Sequence, residues 1–322
     1  MPDRWITLRV PLIRTQCILG EGPIWDYRSN ELHFLDIEQR KVYHYHPESG
    51  GLSFDLFDEK IGCLALRKRG GLACAAERGF AVIEPNSSAG RPTLRYLAKP
   101  LDPSIEPYVR FNDGACDSRG RFFAGTLRSE DPPIGGQLWC YDPAKGNAHL
   151  VDDVDITDSN GLGWSEDEKT LFFTNSQMNV IYAYDYDIET GAATNRRVHI
   201  DTSSLAHGDF SLPDGLCIDS EGGIWSARWG GGKITRFARN GQNDVQISIP
   251  SVFNVTACCF GGPDLDQLYI TTASATCPGG DSHVTMEQRL TKQQECRDSG
   301  AVFAIDFSDD FKGGSYRHEF SG

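Results

Sequence analysis

Short apolar runs separated by polar turns recur along the whole chain, and they group into units that align with one another. One unit begins at Gly22 with Ile24-Trp25-Asp26, turns at Arg28-Ser29-Asn30-Glu31, and continues through Leu32-His33-Phe34-Leu35-Asp36 to Lys41-Val42-Tyr43-His44-Tyr45-His46. A second begins at Gly161, with Leu171-Phe172-Phe173-Thr174-Asn175 and Val180-Ile181-Tyr182-Ala183-Tyr184-Asp185 after its turn. A third begins at Gly215, with Ile224-Trp225-Ser226-Ala227 and Lys233-Ile234-Thr235-Arg236-Phe237. Weaker copies start at Gly62, Gly114 and Thr256. Each unit reads as short strands with turn residues between them. The period of roughly 40–55 residues is that of a four-stranded propeller blade. A blade cannot bury both faces alone, so the units must pack around a common axis. No long amphipathic helix pattern interrupts them. The expectation is an all-β chain, a six-bladed β-propeller occupying residues 1–322 as one domain. A pair of β-sandwiches is the competing architecture, and the in-register repeats argue against it.

The first strand of each unit is short, small and apolar, which makes it the natural innermost strand. The residue before it then sits at one mouth of the central channel. That rule places Glu21, Ile61 or Gly62, Asn112, Asn160, Asp214 and Val255 or Thr256 on one ring. Taken singly, Asn-Gly and Asp-Gly pairs are ordinary turn formers. Turn chemistry does not call for Glu21, nor for an oxygen-bearing side chain at the same position of four units.

Carboxylates brought together this way repel unless a cation lies between them. All the ring donors are oxygen, which favours Ca²⁺, Mg²⁺ or Mn²⁺ over a structural zinc site. Catalytic Zn²⁺ with Glu and Asp ligands stays open. Arg110 stands two residues before Asn112 and supplies a fixed cationic fork suited to the oxygens of a polyhydroxy ligand. Glu130 follows the strand-like Phe122–Leu127 run, in a loop able to return to the mouth. No Gly-x-Ser-x-Gly elbow is present, and Gly230-Gly231-Gly232-Lys233 lacks phosphate-loop spacing. His44 and His46 alternate on a strand and read as surface residues.

Composition narrows the partners. The net charge of −14 argues against nucleic acid and an anionic membrane surface. No apolar run approaches the roughly 20 residues of a membrane helix. The N-terminal residues do not read as a secretory or transit segment, so a cytoplasmic location is expected. Ten cysteines in 322 residues are too sparse for a disulfide scaffold, and most sit in apolar runs as buried thiols. Cys277 and Cys296 flank a polar insertion, and a disulfide between them is disfavoured in a reducing compartment. The glycosylation sequons at Asn86 and Asn254 read as accidental.

Five segments and a continuation then carry a specific resemblance: Leu19-Gly20-Glu21-Gly22-Pro23, Arg110-Phe111-Asn112-Asp113-Gly114, Gly120-Arg121-Phe122-Phe123-Ala124-Gly125-Thr126, Ser159-Asn160-Gly161-Leu162 and Leu212–Asp219, continuing through Val255–Gly262. Over essentially its full length the chain resembles the senescence marker protein/gluconolactonase family, also called regucalcin-like. The resemblance implies a six-bladed propeller with one divalent metal in the channel, held by Glu21, Asn160 and Asp214. It implies that Arg110, Asn112 and Glu130 bind substrate hydroxyls. The chain departs from the family pattern between Cys277 and Gly300, where a longer polar loop precedes the last strand. The function so implied is a metal-dependent lactonase that hydrolyses a small sugar-acid lactone to the aldonic acid, with Asp214 as general base on water. Another ester or organophosphate hydrolase, a pathway-specific isomerase, and a non-enzymatic Ca²⁺-binding regulator are the alternatives on the same scaffold. The small number of ring carboxylates weakens the last of these.

Overall fold

The computed structural model describes residues 2–85, 91–204, 211–279, 284–308, 310–314 and 317–322. Asn86 lies outside them. Within each unit, burial falls from the first strand to the last. Ile61–Leu66 is buried at every position, whereas Gly51–Leu56 and Ala192–Asp201 are largely exposed. This gradient follows from ring closure: the first strands touch other blades on both faces, and the last strands face water.

Among the described residues, besides the short Ser129–Glu130/Pro133–Ile134 pair, six sheets built on antiparallel pairs form a six-bladed β-propeller. Their innermost strands are Gly20–Asp26, Ile61–Leu66, Phe111–Cys116, Ser159–Trp164, Leu212–Ile218 and Asn254–Gly261. Each contacts the next, and Asn254–Gly261 closes back on Gly20–Asp26. Blade five gains a fifth strand, Arg4–Thr7, which runs parallel to Asn243–Ser248. Ile13 then bridges to Val302, beside the third strand of blade six. The N-terminal segment thereby ties two blades together. No helix among the described residues is long and apolar enough to cross a membrane.

The recurrent Gly-containing segments are not turns, contrary to the ordinary reading of Asn-Gly and Asp-Gly. They lie inside the innermost strands, at β-bulges. Asn112-Asp113 faces Gly125 alone, Asn160-Gly161 faces Thr174, Asp214-Gly215 faces Ala227, and Gly22-Pro23 faces Phe34. Single extra residues, Gly62 and Thr256, sit at the same place in blades two and six. Most of these glycines are required by proximity rather than by dihedral angle. A Cβ on Gly161 would lie 2.2 Å from the Leu216 nitrogen, one on Gly215 2.5 Å from the Ala257 Cβ, and one on Gly62 2.4 Å from the Asn112 oxygen. Gly22, at φ +52°, is the exception that needs the left-handed region.

Two further expectations change. A ten-residue helix, Met286–Glu295, occupies the insertion before the last strand, opened by a capping box between Thr285 and Gln288. Of the two histidines expected at the surface, His46 is exposed, whereas His44 is half-buried and faces His33 across the strands, with their Nδ1 atoms 2.8 Å apart and the His33 ring buried. One nitrogen donates and the other accepts, so the pair is satisfied when neutral. All ten cysteines, Cys277 and Cys296 included, are free and buried.

Gly161→Ala is expected to cost about 3 kcal/mol, because a backbone of the next blade must move. Gly163→Ala, which meets only the end of the Ile218 side chain at 3.1 Å, should cost much less. Equal denaturation midpoints for the two variants would contradict the backbone contact. Burial first, and then His44, lower the His33 pKa to about 4 from its ordinary value near 6.5. The unfolded chain therefore binds more protons in that window, and stability falls as pH drops from about 6.5 to about 4. His33→Gln should flatten this part of the melting-temperature profile relative to wild type; parallel profiles would rule the contribution out.

Candidate functional site

The bulges carry Asn112, Asn160 and Asp214 to the channel, and Glu21 stands just before the bulge of blade one. Glu21, Asn112 and Asn160 retain 7 % of their accessible surface and Asp214 retains 5 %, low values for polar groups, yet all four line one cavity of about 330 Å³. Arg110 and Glu130 line it as well. The structure thus brings the six sequence-predicted residues to one mouth, though not on equal terms. Glu130 sits on a two-residue strand beyond Phe122–Thr126, with its side chain 73 % exposed and paired to the Arg128 Nη2 at 2.9 Å. It reaches the rim, not the floor.

A chain of hydrogen bonds orders the floor. The Arg110 Nη1 donates to the Asn112 Oδ1 at 2.8 Å. The Asn112 Nδ2 donates to the Asn160 Oδ1 at 3.0 Å and to the Ser159 carbonyl at 3.0 Å. The Asn160 Nδ2 donates to the Ser176 Oγ at 2.8 Å. A guanidinium can only donate, so it fixes which end of Asn112 faces it, and Asn112 in turn fixes Asn160. The Asn160 carbonyl oxygen keeps a second lone pair.

The carboxylates are in conflict. Burial raises the Glu21 pKa to about 8, with Asp113 adding to the rise and the Gly22 amide and Arg110 opposing it. Asp214 lies well above the usual carboxylate range through burial and through Glu21, Asp113 and Asp158, with only the Gly215 amide in opposition. Burial also raises Asp113, but Arg317 opposes that rise. Groups this buried and this mutually repulsive match a site built around a cation. The Glu21, Asn160 and Asp214 donors are all oxygen and fit a hard divalent ion. No group of three or more His, Cys, Asp or Glu side chains suited to a metal occurs among the described residues. The candidate set has two carboxylates, Glu21 and Asp214, and its third donor is the Asn160 amide oxygen.

The sequence rule used the start of each first strand and missed the other half of the mouth. In antiparallel blades, the end of the second strand returns to the same rim. Leu127 and Arg128, Ser176 and Gln177, Trp229, and Pro278 and Gly279 follow or end those second strands, and all line the cavity. Of the insertion, Pro278 and Gly279 reach the cavity wall; residues 280–283 lie outside the described residues. A Cβ on Gly279 would lie 2.4 Å from the Trp229 ring, so this segment packs flat on the indole. Arg289 of the helix holds the same segment through the Cys277 carbonyl at 2.8 Å.

Comparison with known proteins shows the family. Residues 19–274 match the family model described as SMP-30/Gluconolactonase/LRE-like region. Regucalcin of Xenopus laevis is 35 % identical over 91 % of this chain and 94 % of its own length. A pentonolactonase of Haloferax volcanii is 34 % identical over 92 % of this chain and 93 % of its own. The crystal structure of a calcium-binding protein, regucalcin, from Agrobacterium tumefaciens superposes with a TM-score of 0.81 at 25 % identity, covering 99 % of both chains. The chain belongs to the SMP-30/gluconolactonase/LRE-like family.

Proposed function

We propose that the protein is a metal-dependent lactonase that opens a sugar-acid lactone to the aldonic acid. The observation that carries this reading is the convergence of Glu21, Asn160 and Asp214 with Arg110 and Asn112 on one cavity. The pentonolactonase among the relatives supports the substrate class. Glu21, Asn160 and Asp214 would hold one divalent cation, Ca²⁺, Mg²⁺ or Mn²⁺ before Zn²⁺. When bound, such an ion supplies Lewis-acid polarisation of an ester carbonyl.

The remaining work falls to side chains. Asp214 takes a proton from the water that adds to the carbonyl carbon. The bond from that carbon to the ring oxygen breaks, the ring oxygen receives the proton, and the open hydroxy acid leaves. Arg110 donates hydrogen bonds to substrate oxygens, Asn112, whose two N–H groups go to Ser159 and Asn160, accepts a substrate hydroxyl on its Oδ1, and Arg110 sets the amide order that turns the Asn160 oxygen to the site. Glu130 accepts a hydroxyl at the rim. Pro278, Gly279, Trp229 and Leu212 supply apolar wall. A sizeable cavity beside the ring favours catalysis over Ca²⁺ binding alone.

Chelation should abolish lactone hydrolysis measured with a pH indicator, and Ca²⁺ or Mn²⁺ should restore it. Asp214→Ala should lower kcat by on the order of 10³ and weaken cation binding measured by calorimetry. Chelator-resistant turnover, or full activity of the loaded variant, would overturn the mechanism. Arg110→Ala should raise KM about tenfold while reducing cation affinity far less than Asp214→Ala does. Unchanged KM and kcat would remove Arg110 from the site.

A further inference from the structure

Asp158 and Gln177 line the same cavity and have no part in the chemistry above. Asp158 lies just before the innermost strand of blade four and bridges to Leu127, after the second strand of blade three. Its carbonyl accepts the Ser176 amide at 3.1 Å, so its backbone is tied from both sides. Its Oδ2 accepts the Gln177 Nε2 at 2.8 Å. Its Oδ1 takes no hydrogen bond from the described residues. Gln177 and Ser176 belong to one 3₁₀ turn, Ser176–Met178, so the turn that holds the Asn160 amide also holds the Asp158 carboxylate. Arg110, Arg128 and Glu130 line the same cavity. Glu130 is mostly in water and is paired to Arg128, whereas Asp158 is half-buried with one oxygen anchored and the other open. An anchored carboxylate with a free lone pair, facing donors across a cavity, is a preorganised acceptor for a ligand hydroxyl.

We propose that Asp158 accepts a hydrogen bond from a ring hydroxyl of the substrate, with Gln177 as its positioning residue, and that this pair selects polyhydroxylated lactones over unsubstituted ones. A neutral carbonyl or a bare methylene at that place leaves the carboxylate desolvated without a partner, which is how a polar site discriminates. The substrate class rests on the lactonase reading; hydroxyl recognition by Asp158 does not.

The test uses the full chain loaded with Ca²⁺, titrated with D-glucitol and with 1,5-pentanediol, and followed by tryptophan fluorescence, since Trp229 lines the same cavity. Asp158→Ala should weaken D-glucitol binding about tenfold and leave 1,5-pentanediol unchanged. Asp158→Asn, which keeps an acceptor oxygen, should lose less. Gln177→Ala should fall between wild type and Asp158→Ala. In turnover, Asp158→Ala should raise KM for D-glucono-1,5-lactone, with kcat within about twofold, and leave KM for δ-valerolactone unaltered. Undiminished D-glucitol affinity in Asp158→Ala, or an equal loss for both ligands, would overturn the proposal. A wild-type protein that hydrolyses neither lactone, yet binds D-glucitol through Asp158, would remove the lactonase reading and leave this one standing.

Discussion

The constraint on which the rest depends is contact between backbones at the axis. The innermost strands press on one another there, and at Gly62, Gly161 and Gly215 there is no room for even a Cβ against the next strand. Such packing forces glycine at the contact. It also leaves one residue more on each innermost strand than its partner strand can pair. The surplus residue cannot join the ladder, and a bulge turns its side chain out of the sheet. In blades three, four and five that side chain ends in oxygen. One geometric necessity, tight closure, therefore yields both the glycines and the polar groups beside them.

The second consequence is electrostatic order. A buried site made of amides and carboxylates has many hydrogen-bond arrangements of similar energy unless something breaks the tie. Arg110 breaks it, because it has donors and no acceptor. From it the direction of every bond through Asn112 and Asn160 to Ser176 follows. The carboxylates gain no such relief from the protein. Burial and mutual repulsion raise the pKa values of Glu21 and Asp214, with Arg110 opposing the rise at Glu21.

The fold was legible in the sequence because blade repeats leave a strong hydrophobic period, and that period located the innermost strands. The convergence of Glu21, Asn112, Asn160 and Asp214 followed from the same rule. Their local conformation was not legible, because Asn-Gly and Asp-Gly serve turns and close-packed bulges equally well. The distinction depends on which backbone lies opposite, Leu216 for Gly161 and Ala257 for Gly215, and that is non-local information. Ser176, Gln177 and Trp229 escaped because attention to strand starts ignores where the second strands end, and Asp158 escaped because the rule took one residue, Asn160, from the start of its strand. The helix Met286–Glu295 did carry a local signal, the Thr285/Gln288 box, but with Met286 and Leu290 its only apolar residues it gives little periodicity to weigh.

The channel's two ends separate the roles of its acids. Beyond the innermost strands, the C-terminal segment pairs Gly313 with Asp219 and Phe320 with Arg67, passing from blade five to blade two across the rear. On the way, the Arg317 Nη2 donates to the Leu216 carbonyl at 3.2 Å, and its charge opposes the rise of Asp113. Asp113 also receives the Gly114 amide on its Oδ1 and does not line the front cavity. Its charge is thus answered from behind. Asp214 has acids for neighbours and no arginine among the influences on it, and Glu21 has Arg110 alone. Of these three buried acids, Glu21 and Asp214 are the two that line the front cavity, beside the Asn160 oxygen. A cation in the front cavity would relieve those two charges, which supports Glu21 and Asp214, rather than Asp113, as its ligands.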